Sequence, residues 1–139
     1  MRTLIITCTP NRFDVISYFK KYNTIIWRQT KSCQPGDKAY VYVGRPLSCI
    51  KYLCEIIETD ITSDSMDSDY YKTQSLTKRN KNKPFMKLKL LQEFTGKDLS
   101  LNDLFQHGLK TVQCTTEASS ELKSYLISVT GKERSSDVN

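Results

Sequence analysis

The sequence predicts a single mixed α+β domain, and three observations carry that reading. Apolar residues alternate at a two-residue period over 38–43 and 48–59, they recur at three- to four-residue steps over 12–21 and again from about 116, and Pro/Gly/Asn turn signals separate these runs. The 139 residues fit one core, and 38% hydrophobic with 10% aromatic residues is enough to build it.

Thr3 to Thr7 is a short β-branched run that stops at Pro10-Asn11, where Asn11 can cap a helix. From Arg12 to about Lys21, Phe13, Ile16 and Phe19 recur at three-residue steps, with Lys20 and Lys21 at the negative helix end. Thr24 to Arg28 is a second strand and carries the only tryptophan, Trp27. Gln34-Pro35-Gly36-Asp37 is a turn, and Lys38 to Val43 leaves it as a strand with Tyr40 and Tyr42 on one face and Ala39, Val41 and Val43 on the other. After the break at Gly44-Arg45-Pro46, Ser48 to Thr59 places Ile50, Tyr52, Cys54 and Ile56 on one side, and the two strands predict a hairpin-like pair.

Residues 60–83 leave the core: six acids fall between Glu55 and Asp69 with no Lys or Arg, and four cations follow from Lys78 to Lys83. Phe85 to Phe94 is a strand with Met86, Leu88 and Leu90 on its dry side and Lys87 and Lys89 on its wet side. Ser100 and Asp103 resemble a capping box for a short helix that Gly108 ends. Thr111 to Thr115 reads as a last strand, and a final helix from about Thr116 sets Leu122, Tyr125, Leu126 and Val129 on one stripe up to Gly131. The domain is expected to span 1–131, with 132–139 a polar tail or linker.

The chemistry is sparse. Cys8, Cys33, Cys49, Cys54 and Cys114 contain no two-residue spacing of a zinc or redox motif, so they read as reduced, mostly buried thiols of a cytosolic protein. No apolar run approaches membrane-spanning length. The single histidine, His107, sits near a helix end, and no Gly-rich phosphate loop or nucleophile elbow is present. Glu121-Leu122-Lys123 lies on a helix and reads as a solvated face. These features point to a non-catalytic domain without metal or cofactor. The net charge of +6 favours a polyanion as partner.

Trp27, the run from Gln34 to Tyr42 with its Pro-Gly-Asp turn, and Ile50 with Glu55-Ile56 together resemble the signature of EVE domains, members of the PUA-like superfamily that includes the YTH readers. Lys83-Pro84-Phe85 and Leu99 to Leu104 extend the resemblance, which is strongest over 24–58. The chain departs from the pattern at Gly44-Arg45, where the family has Ser-Gly, and at Cys49 and Cys54, where it has glycines. The resemblance implies a small, mostly antiparallel β-barrel flanked by helices. It also implies a function: recognition of a modified base in DNA, a methylated or hydroxymethylated cytosine, flipped into an aromatic cage. Such a domain serves as the N-terminal specificity module of a modification-dependent restriction system, with a nuclease or nucleotide-hydrolase effector elsewhere. In that frame Trp27 and Tyr42, with Tyr40, form the cage; Thr9, Asn11, Ser48 and Gln113 meet the base edge; and Arg45, Lys78, Arg79, Lys81 and Lys83 meet phosphates. The alternatives are a YTH-like reader of methylated adenosine in RNA and a protein-interaction or small-ligand module. A lone strand tryptophan and alternating tyrosines also occur in ordinary cores.

Overall fold

The first strand, β1 (Thr3–Cys8), is buried along almost its whole length because it runs inside the sheet and not at its edge. The structure, a computed structural model, describes residues 2–8, 14–29, 32–45, 47–61, 84–94, 99–112 and 115–131. After β1 come α1 (Val15–Lys21), β2 (Thr24–Arg28), β3 (Lys38–Val43), β4 (Cys49–Ile61), β5 (Phe85–Glu93), α2 (Leu101–Gln106), β6 (Thr116–Glu117) and α3 (Ser120–Gly131). The strands form one sheet in the order β2-β5-β4-β3-β1-β6, in which only β1 and β3 pair in parallel. The mixed α+β class with a mostly antiparallel sheet and flanking helices is as the sequence predicts. Closure is not: β2 and β6 end the ladder and do not pair with each other among the described residues, so the sheet is open where a barrel would join its ends.

Two apolar layers cover the sheet. On one face, Leu4, Ile6, Val41, Tyr52, Cys54, Ile56 and Leu88 pack with Val15 and Tyr18 of α1. On the other, Ile5, Tyr40, Tyr42, Ile50 and Leu53 pack with Leu104 of α2 and Leu122 and Leu126 of α3. Each fully buried aliphatic side chain contributes about 1.5–3 kcal/mol relative to exposure. The stripe read on the last helix is therefore the stripe that docks.

One expected alternation fails, and the reason is a bulge. Val41 pairs with Tyr52 but Tyr42 pairs with Ile50, which leaves Lys51 without an opposite residue. Ile50 therefore turns to the α2–α3 face while Tyr52, Cys54 and Ile56 stay on the α1 face. Further register shifts between β4 and β5 fall at Leu53/Cys54, Ile56/Glu58 and Glu58/Ile61, and bulges of this kind bend and twist a long strand.

The helix starts also move. Asp14 caps α1, its Oδ1 accepting from the Ser17 N–H at 3.2 Å; Asn11, the expected cap, lies outside the described residues. Ser100 caps α2 as expected, accepting from the Asp103 N–H at 3.4 Å, but its hydroxyl donates to the Asp103 carboxylate at 2.8 Å instead of completing a reciprocal box. Thr116–Glu117 is a strand, not the first turn of the last helix, because the Ser119 hydroxyl accepts from the Leu122 N–H at 3.2 Å and sets the helix start after it.

Candidate functional site

The geometry begins at the Pro35-Gly36 turn. Gly36 has φ of 101°, in the region that favours glycine, and the Asp37 N–H donates to the Gln34 carbonyl at 3.1 Å. Asp37 is 6% exposed, and its two carboxylate oxygens accept from the backbone N–H groups of Arg2 and Gln34, each at 2.9 Å. Burial pushes this carboxyl up, but the two N–H bonds together with nearby positive charge, that of Arg2 included, outweigh it and hold it below its ordinary value. Asp37 thereby locks the start of β1 beside β3, in the register Thr3 opposite Lys38. In the sequence Asp37 shows only as a turn residue. Its role shows in the bond from a residue 35 positions away.

That register sets what meets at the other end of the pair. Cys8 lies opposite Val43, and the Gly44 N–H donates to the Cys8 carbonyl at 2.9 Å. One row earlier, Thr7 lies opposite Tyr42, and Tyr42 opposite Ile50, all on the α2–α3 face. The Thr7 Oγ1 is buried and makes no hydrogen bond. A buried hydroxyl in that state is destabilising by about 1–3 kcal/mol, so this end of the sheet holds polar capacity that its own fold does not use. Ser48 closes the turn after β3 at φ 48°, and its carbonyl accepts from the Leu101 N–H at 2.9 Å, which docks α2 against the turn.

The expected aromatic cage is not assembled. Trp27 is half-buried against the α1-side core on β2, whereas Tyr40 and Tyr42 are 5% and 3% exposed in the opposite core. β5 and β4 separate β2 from β3, and the sheet itself lies between the two sets of rings. Tyr40 stacks on Phe94, with ring centroids 6.2 Å apart. Of the base-edge candidates, Ser48 is beside Tyr42's strand end and half-buried, while Thr9, Asn11 and Gln113 lie outside the described residues. Arg45 is exposed in the turn after β3; Lys78, Arg79, Lys81 and Lys83 lie outside the described residues.

His107 caps the end of α2, its ring stacked on Tyr125 at 3.7 Å and its Nδ1 2.8 Å from the Asp103 carbonyl. Burial pushes the Cys54 thiol up to about 12 and also raises Cys33 and Cys49, so none of these is a ready nucleophile. Among the described residues, no group of three or more His, Cys, Asp or Glu side chains is placed to hold a metal ion. No helix of the described residues is long and apolar enough to cross a membrane.

No family model matches the sequence, and no curated protein does. Solved structures do match the fold. The ASCH protein of Zymomonas mobilis aligns over 92% of this chain and 95% of its own at 13% identity, with a TM-score of 0.66. A protein from Pseudomonas syringae covers 91% of this chain and 98% of its own at 15% identity and 0.63. A hypothetical protein from Leishmania major covers 96% and 97% at 16% identity and 0.63. The six-stranded sheet with its flanking helices is thus a fold that this chain shares with these proteins, the ASCH protein of Zymomonas mobilis among them.

Proposed function

We propose that this chain is a nucleic-acid-binding domain that holds an unpaired base where β1 and β3 end, and that it binds without cutting. The PUA-like fold is the observation that carries this reading, and the net charge of +6 supports its sign. The unused Thr7 hydroxyl beside Tyr42 supports the place, because it can bond a base edge without breaking a bond of the fold. The finer form implied by the EVE resemblance, a modified base flipped from DNA for a restriction effector, is a narrower version of the same proposal. It has to work without a Trp27–Tyr42 cage, since those rings lie on opposite faces.

Fluorescence anisotropy with labelled single-stranded RNA, single-stranded DNA, and duplexes with and without one modified cytosine tests all forms together. Binding should weaken with salt, with a log–log slope of about −0.7 for each phosphate contacted on a single strand. The labelled strands should be recovered intact with or without magnesium. If no polymer binds at low salt, the proposal fails. Equal affinity for modified and unmodified duplexes would remove only its finer form.

A further inference from the structure

We infer that the outward side of α2, with the turn after β3, is a second contact for single-stranded nucleic acid, in which Phe105 stacks on an unpaired base and Arg45 meets a phosphate. The inference rests on the reading of the chain as a nucleic-acid-binding domain. α2 points Leu104 into the core, and the exposed arc beside it is Asn102, Phe105 and Gln106. Phe105 is 45% exposed, a large ring left in water on a helix whose neighbours along the arc are amides. No acid lies on this arc, because Asp103 is half-buried and accepts from the Ser100 hydroxyl.

The turn after β3 adds the charge. The Leu101–Ser48 backbone bond and the bridge between Cys49 and Ser100 hold α2 against this turn, which carries exposed Arg45 and Leu47. Lys38, Lys51 and Lys87 are each paired with a glutamate, but Arg45 has no ion-pair partner among the described residues. A ring for stacking, amides suited to base edges and an uncompensated guanidinium match a nucleic-acid strand better than an apolar protein partner.

The test uses Phe105→Ala, Phe105→Tyr and Arg45→Ala on the full chain, with labelled single-stranded 12-mers of RNA and DNA as probes. Both sites are exposed, and thermal melting should show all three variants as stable as the parent. Phe105→Ala should weaken binding roughly tenfold, Phe105→Tyr should retain it because the ring is kept, and 2-aminopurine in the strand should report less stacking with the alanine variant. Arg45→Ala should flatten the salt slope by about 0.7. If the parent binds and Phe105→Ala binds equally well, this contact is wrong while the broader reading stands. If the parent binds neither probe, both fall.

Discussion

The α1 face of the sheet and the α2–α3 face share strands but differ in chemistry. Under α1 the layer is apolar from β1 across to β5: Leu4, Val41, Cys54, Ile56 and Leu88 are at most 1% exposed, and burial holds the Tyr52 phenol far above its ordinary range. The opposite face is divided. Its β1–β3 side is covered by α2 and α3 and contains the unbonded Thr7 hydroxyl; along β4, Glu55 meets Lys38 of β3 at 3.6 Å and Glu58 meets Lys87 of β5 at 4.0 Å. Exposed pairs of this kind contribute at most about 1 kcal/mol. Both faces carry a buried apolar core, and the unbonded buried hydroxyl among the described residues lies on the α2–α3 face.

The sharpest way to break this division is Trp27→Ala. Trp27 packs against the α1-side core, so the variant should lose about 2–3 kcal/mol in denaturant unfolding while its affinity for nucleic acid per folded molecule is unchanged. Loss of affinity at unchanged stability would return Trp27 to the binding surface. Asp37→Ala should come next, at about 2 kcal/mol, because it strands the Arg2 and Gln34 N–H groups. The sign with pH follows from the folded carboxyl lying below its ordinary value of 3.8: its stabilisation is fully present above that value and is lost as pH falls through the folded one. Unfolding followed against pH should show a shallower acid limb in Asp37→Asn than in the parent; superimposable limbs would remove Asp37 as the latch. The smallest effect belongs to the other face. Thr7→Val replaces an unbonded buried hydroxyl by a methyl group of similar shape, so stability should stay level or rise by up to about 1 kcal/mol while binding weakens. A stability loss there would show that the hydroxyl is bonded within the fold.

Much of the fold was legible because its periods are local. Tyr40 and Tyr42 opposite Ala39, Val41 and Val43, the dry and wet sides of β5, and the docking stripe of α3 all follow from spacing along one element. The aromatic cage was not legible, because alternation says that two residues of one strand share a face but nothing about how one strand is phased against another. Trp27 and Tyr42 are each correctly placed within their own strands and still point to opposite layers. The bulge at Lys51 breaks parity within β4 itself: Ile50 and Tyr52 read as neighbours on one side, and only pairing with β3 separates them. Thr7 gave no signal at all, since a threonine in a strand is ordinary until its hydroxyl is found without a partner. The helix start after Ser119 could have been found, as a serine preceding the apolar stripe is a known cap.

The position of β1 has a consequence for how the chain reaches this state. β1 is clasped between β3 and β6, and the Ala118 N–H donates to the Thr3 carbonyl at 2.8 Å, so the first strand is completed only by a segment from the far end of the sequence. Contacts of such long sequence separation slow folding, because loop closure precedes the stabilisation it brings. On a ribosome, β1 would have one side unsatisfied until residues 116–118 had emerged, leaving Leu4–Ile6 as a transient edge open to pairing with another chain.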